Sequence, residues 1–307
     1  MTGTGRRAAV RVGLTLPSFQ SDPERVLAVA AAAEEAGLDG VFAFDHLFRR
    51  RGDAEGGERR PALELLTMTA SVAAATGRIT VGTLVARATL RPPAMLRAAF
   101  DTLNRIAPGR IVAGLGGGDD ESTAEDHAFG VLPHDPAAGA PIMAGSPSLD
   151  RSTVAAYRVD RLTAAVEAMV GRGYPVWVAG TSPSAVRLAA ARADGWNRWG
   201  GDTTTFAASA ERVRQALDEA GRPPGAFAFT WGGLAVLADT AAGAKAKRDR
   251  LGGDRPGLVS GGPSEVAGQI AAYAVAGADW VILGPIDSAD PSNAAVLGEA
   301  RRLTRLP

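Results

Sequence analysis

Polar residues that could carry chemistry follow several short apolar runs of this chain. Asp45 and His46 come directly after the run Gly40–Phe44, and an aspartate beside a histidine is a pair that can hold and move a proton. The glycine-rich stretch Gly114–Asp119 closes another run, and glycines let a planar ligand or a phosphate approach the backbone. These residue types predict a ligand site beside a proton-transferring group.

A third polar stretch, Gly180-Thr181-Ser182, stands before a helix that begins near Pro183. Backbone N–H groups and hydroxyls at a helix N-terminus form a cradle for an anion, but a serine there also serves as an ordinary N-cap. Trp196 and Trp199 follow close behind. These tryptophans either line the mouth of a pocket or pack in the core. The residues alone decide neither this nor whether the stretch before Pro183 binds an anion or only caps the helix.

The elements that must position these residues are short apolar runs, most of them rich in Val, Ile or aromatic residues, which predict strands. The eight runs are Val10–Leu16, Gly40–Phe44, Ile79–Val85, Ile111–Leu115, Val176–Ala179, Gly195–Trp199, Ala226–Leu237 and Trp280–Leu283. Between them, the spacing of apolar residues predicts helices. These are Pro23–Ala36, Ala62–Thr76, Pro92–Ala107, Asp150–Val170, Pro183–Arg192, Thr204–Ala220, Pro263–Ala276 and Ser292–Arg305, with Asp22 capping the first and Gly37 ending it.

Strands that are separated by helices pair in parallel through crossovers. Eight such units in 307 residues predict an α/β fold, a TIM (β/α)8 barrel, with residues 10–307 as one domain and residues 1–9 as a flexible N-terminal tail. An open doubly wound sheet is the alternative. A Rossmann fingerprint after the first strand would favour that sheet, but Leu16–Gln20 contains no glycine.

The composition, with 46% hydrophobic residues and 33 basic against 33 acidic residues, predicts one compact domain without net charge. This balance disfavours nucleic acid and anionic membranes as partners, because both attract concentrated positive charge. A small-molecule substrate is expected instead. No apolar stretch reaches transmembrane length, and Met1–Ala9 lacks the apolar core of a signal peptide, so a cytoplasmic location is expected. Arg49–Arg51 and Arg59–Arg60 lie among acidic residues and predict a solvated loop.

The inventory of reactive residues excludes several classes of site. The absence of cysteine excludes disulfides, thiolate metal sites and cysteine nucleophiles, and His46, His127 and His134 are too scattered for a helical zinc motif. Asp119–Glu121 and Glu125–Asp126 beside His127 suggest a metal. Acidic residues in a helix's first turn are also favoured by the helix dipole, so no metal is expected. The sequence has neither a serine-hydrolase elbow nor a P-loop motif.

A set of short motifs also occurs in order from about Val10 to Leu303. The motifs are Leu14–Pro17, Glu35–Val41, Phe44–His46, Thr76–Thr83 with Val85, Arg91–Pro93, Leu103, Gly109–Gly118, Ala128–Gly130, Val178–Gly180, Ala193–Asn197 and Ala276–Ala278. Each motif alone is weakly specific, but the ordered set resembles the bacterial luciferase-like monooxygenase superfamily. Members of that superfamily use a flavin or the deazaflavin coenzyme F420.

The resemblance implies a TIM-like barrel that binds a flavin-type ring at the carboxyl ends of its strands, usually as a homodimer. The pair Asp45-His46 resembles that of the F420-dependent branch more than that of the FMN-dependent luciferases. The resemblance implies that His46 lies near the reactive face of the ring, where it positions or protonates the substrate, with Asp45 beside it. Asp119 stands where some relatives place an acidic catalytic residue.

The resemblance also implies the cofactor contacts. The third strand of this family carries a bulge with a non-proline cis peptide that backs the ring, and alignment of Gly82-Thr83-Leu84-Val85 places it at Leu84–Val85. The ring or its ribityl chain would pass the fourth strand at Gly116, Gly117 and Gly118. The phosphate of the cofactor tail would lie at Gly180, Thr181 and Ser182.

Departures from the family pattern bear on the substrate. F420-dependent sugar-phosphate dehydrogenases place a tryptophan shortly after the aspartate–histidine pair, where this chain reads Leu47–Arg50. The lysines of a sugar-phosphate site are missing, since the only lysines are Lys245 and Lys247, so that substrate is not expected. The chain between Phe129 and Tyr174 is short and rich in Pro, Gly and Ala. The hairpin that many relatives insert there is therefore expected to be absent.

Together these features predict a two-electron oxidoreductase. Reduced F420 would deliver a hydride to an unsaturated carbon or imine of a small organic substrate, or the reverse reaction would oxidise an alcohol, with His46 or a water handling the proton. The alternative is an FMN-dependent monooxygenase that uses dioxygen and a separate flavin reductase. A second alternative is a non-catalytic relative that binds flavin or F420.

Overall fold

A computed structural model describes residues 9–50, 59–119, 122, 125–126, 134–135, 140–141, 151–251 and 255–304. Several expectations fall outside these residues. They are the tail at residues 1–8, the metal candidates Asp120, Glu121 and His127, the motif Ala128–Gly130 and most of the segment from Leu132 to Pro147.

The eight predicted strands all occur. They are β1 (Arg11–Thr15), β2 (Gly40–Ala43), β3 (Thr80–Thr83), β4 (Ile111–Gly116), β5 (Val176–Ala179), β6 (Gly195–Trp199), β7 (Ala228–Leu237) and β8 (Trp280–Pro285). Each overlaps one apolar run, and the residues of β2 and β4 are buried throughout. Such continuous burial is typical of parallel strands, which are covered on both faces.

The strands close into a barrel in the order of the chain. Each strand pairs in parallel with the next, from β1 to β8. The ring closes because β8 pairs in parallel with β1, with Trp280 opposite Arg11. In an open doubly wound sheet, two strands would form unpaired edges. Here β1 and β8 pair with each other, so that alternative is wrong. The predicted TIM barrel is confirmed.

Helices surround the barrel, and most lie within a few residues of their predicted bounds. They are α1 (Pro23–Glu35), α2 (Leu65–Ala75), α3 (Pro93–Ile106), α4 (Arg151–Met169), α5 (Pro183–Arg192), α6 (Thr203–Glu219), α7 (Ala241–Leu251), α8 (Pro263–Val275) and α9 (Ser292–Leu303). The cap of α1 is as predicted, because the Asp22 side chain accepts a hydrogen bond from the Glu24 N–H at 3.0 Å. Gly37, with φ +76°, ends that helix in the left-handed region that glycine tolerates.

The sequence reasoning missed helix α7 and three short elements. These are the strand Val259–Gly261, the strand Ala86–Arg87, which pairs with the end of β4, and the 3-10 helix Pro224–Ala226. Helix α7 has the sequence AAGAKAKRDRL, which offers small and charged residues and no broad apolar stripe, so its periodicity gives no signal. The three-residue strand Val259–Gly261 pairs with the far end of β7, where Ala235 lies opposite Val259. A run of three residues is too short to stand out from a loop.

Two further predictions need correction. The arginine-containing loop after β2 begins and ends in an antiparallel ladder, in which Phe48–Arg50 pairs with Arg59–Pro61. A two-residue ladder also joins His134–Asp135 to Ala140–Pro141, so the stretch between Phe129 and Tyr174 contains a short hairpin where none was expected. Backbone pairing forms both ladders, and neither segment has the alternating side-chain pattern that would reveal it.

The barrel interior is filled by an aromatic plug. Phe42 packs on Trp177 and Trp280, with ring centroids 5.7 and 5.5 Å apart. Gly13, Gly40 and Gly82 surround this ring on three strands, and a Cβ on any of them would lie within 2.9 Å of the Phe42 ring. These glycines therefore make room for one large side chain in the barrel interior.

Candidate active site

The sequence-predicted site residues lie at one end of the barrel, which we call the mouth. Asp45 and His46 follow β2, Leu84 and Val85 follow β3, Asp119 follows β4, and the segment from Gly180 to Ser182 follows β5. Parallel strands bring their carboxyl ends to the same rim, where TIM-barrel enzymes place their active sites. A cavity of about 220 Å³ opens at the opposite end, and none of the predicted site residues lines it.

Asp45 is buried in an ion-pair network. Its Oδ2 accepts hydrogen bonds from Arg91 Nη1 at 2.5 Å and from the Arg87 backbone N–H at 2.9 Å, while Oδ1 accepts one from Arg91 Nη2 at 3.1 Å. Arg91 also pairs with Glu64 at the start of α2. Both Asp45 oxygens are therefore occupied, and the carboxylate holds the segment after β3 against the segment after β2.

His46 is held by a carboxylate that is distant in sequence. Its Nδ1 lies 2.7 Å from Glu125 Oε1, and Glu125 Oε2 accepts a hydrogen bond from the Leu47 N–H at 2.9 Å. Arg87 Nη1 lies 3.1 Å from the same Oε2. The Glu125 side chain is 5% exposed, whereas that of His46 is 26% exposed. The imidazole is thus anchored on its inner edge and open to solvent on another.

An aromatic cluster accompanies His46 at the mouth. The ring of Phe19, which follows β1, lies 5.2 Å from that of Phe44 and 5.5 Å from the imidazole. Phe44 meets the imidazole edge-on at 5.7 Å. Such contacts favour a fixed ring orientation. His46 therefore has defined neighbours on both its polar edge and its faces.

Asp119 caps the turn that carries Glu125. Its Oδ1 accepts hydrogen bonds from the Ser122 N–H at 2.8 Å and from the Ser122 hydroxyl at 2.7 Å, and Ser122, Glu125 and Asp126 are helical. Partial desolvation raises the pKa of the Asp119 carboxyl, but the bonds from Ser122 and the charges of His46 and Arg158 outweigh it, so the pKa lies below its usual value. The carboxylate is ionised at neutral pH.

The end of β3 contains the expected cis peptide, between Leu84 and Val85. This prediction, which came from the family resemblance, is confirmed. Thr83 is buried and its hydroxyl donates to the Gly114 carbonyl at 2.7 Å. The Leu84 N–H donates to the Ala43 carbonyl at 2.7 Å. The segment therefore has defined partners on the strands on either side of it.

The glycines of β4 make room for this segment. A Cβ on Gly114 would lie 2.0 Å from the Thr83 carbonyl oxygen, and one on Gly116 would lie 2.5 Å from Val85 Cγ2. Gly117 and Gly118 come next, and Gly118 adopts φ +84°. The close neighbours of Gly114 and Gly116 are protein atoms, so these two glycines have a packing reason that exists without any ligand.

The segment after β5 is a capped helix start at the rim. Ser182 Oγ accepts a hydrogen bond from the Ala185 N–H at 3.2 Å, which makes it the N-cap of α5. Gly180 adopts φ +129°, and Thr181 and Ser182 are exposed. The N-cap interpretation is thus correct. Of the first residues of α5, Pro183 has no N–H, and the N–H groups of Ala185 and Val186 donate to Ser182. Ser182 Oγ also lies 3.3 Å from Ser184 Oγ. An anion would therefore rely on the Ser184 N–H and the exposed Thr181 and Ser182 hydroxyls.

The two tryptophans of β6 differ. Trp196 is fully buried and its indole N–H donates to the Gly180 carbonyl at 2.7 Å, so it belongs to the core. Trp199 is 48% exposed. A Cβ on Gly232 would lie 2.6 Å from the Trp199 ring, and one on Gly284 would lie 3.2 Å from it. The indole therefore lies over glycines of β7 and β8 and presents a flat surface at the mouth.

Sequence reasoning missed the partners of the site. Arg91 was noted only within the motif Arg91–Pro93, neither Arg87 nor Arg91 was given a role, and Glu125 was considered only as part of a metal candidate. Glu125 lies 79 residues from His46 along the chain, and no local pattern signals such a contact. Among the described residues, no group of three or more His, Asp or Glu could hold a metal ion. The described helices include none that is both long and apolar enough to span a membrane.

The closed parallel barrel defines a TIM-barrel protein. Its histidine–carboxylate pair lies at the carboxyl ends of the strands, where TIM-barrel enzymes place their active sites. The family model described as luciferase-like monooxygenase matches residues 8–256. The chain belongs to this family, as its motifs predicted.

Among curated proteins, the chain is similar to the F420-dependent glucose-6-phosphate dehydrogenase of Beutenbergia cavernae. The two are 31% identical over 204 residues, which cover 61% of this chain and 56% of the relative. The chain therefore matches little more than half of that relative's length.

Solved structures share the fold. An F420-dependent secondary alcohol dehydrogenase in complex with an F420–acetone adduct aligns with a TM-score of 0.74 at 16% identity, covering 97% of this chain and 100% of that one. The coenzyme F420-dependent tetrahydromethanopterin reductase from Methanopyrus kandleri aligns with a TM-score of 0.70 at 16% identity, covering 95% and 98%. At this identity the likeness establishes the architecture.

Proposed function

We propose that this protein is an oxidoreductase that uses coenzyme F420 to exchange a hydride with a small organic substrate. The observation that carries the proposal is the partly exposed His46 at the barrel mouth, in an Asp45-His46 pair that resembles that of F420-dependent enzymes. The similarity to a dehydrogenase named for F420 supports the choice of cofactor.

The residues at the mouth fit such a cofactor. Thr181 and Ser182 are exposed at the N-terminus of α5, where hydroxyls and N–H groups suit a phosphate. We assign Leu84–Val85, beside Thr83, to support the cofactor ring. The chain attached to the ring would run past Gly116, Gly117 and Gly118. The exposed indole of Trp199 offers a flat surface of the kind on which aromatic rings stack.

When bound, coenzyme F420 would supply the two-electron chemistry by giving or taking a hydride. The chain's own residues bind, orient and handle the proton. His46 exchanges a proton with the substrate as a general acid or base. Asp45 holds the segment after β3 against the segment after β2 through Arg91 and Arg87, so we assign it a positioning role. Asp119, which is ionised and binds Ser122, is assigned a supporting role beside the histidine.

The substrate we propose is a small organic molecule other than a sugar phosphate. The two lysines of the chain are both engaged with carboxylates, Lys245 with Asp249 and Lys247 with Asp287. Lys247 also donates to the Leu237 carbonyl at 2.9 Å. Neither lysine is therefore a ready partner for a substrate phosphate.

The test is a titration of the purified protein with oxidised F420 and with FMN in parallel, followed by cofactor and tryptophan fluorescence. We expect micromolar binding of F420 and weaker binding of FMN. Ser182→Asp is the informative variant, because aspartate retains the N-cap of α5 but repels a phosphate. It should fold normally and lose at least tenfold in affinity. Ser182→Ala removes the hydroxyl without adding charge and should weaken binding less.

Other outcomes select the alternatives. Preference for FMN would move the protein to the FMN-dependent monooxygenases, with dioxygen as co-substrate and a flavin reductase as partner, as the family's description allows. Binding of neither cofactor would contradict the proposal. Binding of F420 without turnover of any alcohol, enone or imine would favour a non-catalytic relative.

We also propose that the protein is a homodimer in the cytoplasm, as the family resemblance and the sequence suggest. Light scattering during gel filtration tests the first point. A mass of about 31.4 kDa, which is that of one chain, would contradict it. Fractionation of the producing cells tests the second.

A further inference from the structure

The Nδ1 edge of His46 faces a carboxylate whose other contacts with the described residues come from donors. Glu125 Oε1 lies 2.7 Å from Nδ1. Glu125 Oε2 accepts from the Leu47 N–H at 2.9 Å and lies 3.1 Å from Arg87 Nη1. A backbone N–H and a guanidinium can only donate. Both donors fit a carboxylate oxygen, and a carboxylate can only accept.

A carboxylate that only accepts determines which nitrogen of His46 carries the hydrogen. Nδ1 must be the donor of the 2.7 Å contact. In the neutral imidazole, Nε2 is then left with its lone pair. An unconstrained neutral histidine in water favours the opposite tautomer, with hydrogen on Nε2. The tautomer imposed by Glu125 is thus a measurable departure from the default.

Arg87 connects this contact to the Asp45 network. Its guanidinium is buried, 3.1 Å from Glu125 and 3.3 Å from Asp126 Oδ1. Its backbone N–H donates to Asp45 Oδ2 at 2.9 Å. A continuous series of contacts therefore runs from the Arg91–Asp45 pair through Arg87 and Glu125 to His46.

We propose that Glu125 is a positioning residue that fixes His46 in the Nδ1–H tautomer and leaves Nε2 as the proton-accepting atom at the barrel mouth. In the oxidation of an alcohol, the substrate loses one proton and one hydride. Nε2 takes the proton and becomes N–H, while the hydride goes to the oxidised deazaflavin. In the reverse direction, Nε2–H returns the proton. The catalytic consequence rests on the proposed function, but the tautomer does not.

The test is nuclear magnetic resonance of the full chain labelled with [15N]histidine. Long-range 1H–15N correlations distinguish the protonated from the unprotonated ring nitrogen, and the three histidines can be assigned with His46→Gln. At a pH where His46 is neutral, we expect its Nδ1 to be protonated and its Nε2 unprotonated. Glu125→Gln should reverse this pattern or give a mixture, since an amide can donate to Nδ1. Glu125→Asp should retain at least part of it.

Asp126→Asn is the matched control. It removes a carboxylate next to the same guanidinium, 3.3 Å away, without touching His46, and the tautomer should not change. An Nε2–H tautomer in the unmodified protein would overturn the proposal even if Glu125→Gln fails to fold. An unchanged tautomer in a folded Glu125→Gln would overturn it as well. Because no cofactor enters this measurement, its failure and a failure to bind F420 are separate results.

Discussion

Replacement of Asp45 by asparagine should cost more stability than almost any other single charge removal at the mouth. The Asp45 side chain is 1% exposed and pairs with Arg91 at 2.5 Å. Removal of one partner from a buried ion pair typically costs about 3–5 kcal/mol, because the other charge stays buried. Arg91 is 16% exposed and keeps Glu64 as a partner, so we expect the lower end, about 3 kcal/mol.

The assay is equilibrium urea unfolding followed by circular dichroism and tryptophan fluorescence. A matched control is Asp249→Asn, which breaks the exposed pair between Asp249 and Lys245 at 2.7 Å. Exposed pairs contribute little to stability, so the control should change the midpoint far less. The double variant Asp45→Leu/Arg91→Met should recover part of the loss, because it leaves no uncompensated charge at this pair. Equal midpoints for Asp45→Asn and Asp249→Asn would refute the reasoning.

Two further predictions concern the scaffold. Gly114→Ala should prevent folding or cost several kcal/mol, because its Cβ would lie 2.0 Å from the Thr83 carbonyl oxygen; a soluble variant with an unchanged melting temperature would contradict this. Desolvation raises the pKa of Glu34, but hydrogen bonds from the N–H groups of Gly77–Ile79 outweigh it and lower the pKa. A depressed pKa stabilises the fold above the unfolded value of about 4.3 and loses that effect as pH falls. Glu34→Gln should therefore cost about 1–2 kcal/mol at pH 7 and less below pH 4, as measured by urea unfolding at both pH values.

Local signals explain why most of the fold was predictable. The strands are short apolar runs, which stand out in the sequence. Helices such as Pro183–Arg192 begin and end at residue types that favour helix ends. The cis peptide at Leu84–Val85 was predicted for a different reason, since only the ordered family motifs point to it. Helix α7, without an apolar stripe, shows the limit of periodicity as a signal.

The connections of the site could not be predicted in the same way. Asp45 and His46 stand out because they end a strand, but their partners are distant in sequence, 46 residues away for Arg91 and 79 for Glu125. Glu125 lies in an acidic stretch. The same acidic residues are expected at the start of a helix, in a metal site and as the partner of a histidine. Ser182 illustrates a related ambiguity, because a cap and an anion cradle use the same hydroxyl.

The length of β7 makes the barrel rim uneven. Trp199, the last residue of β6, lies opposite Gly232, and β7 continues five residues further to Leu237. At about 3.3 Å per residue this adds roughly 17 Å of strand, and the strand Val259–Gly261 pairs with that extension. On its other side, β8 runs alongside this extension up to Pro285, which lies opposite Ala235. The rim therefore steps down from β7 to β6, with the half-exposed Trp199 indole at that step, so the mouth is deeper on the β7 side than on the β6 side.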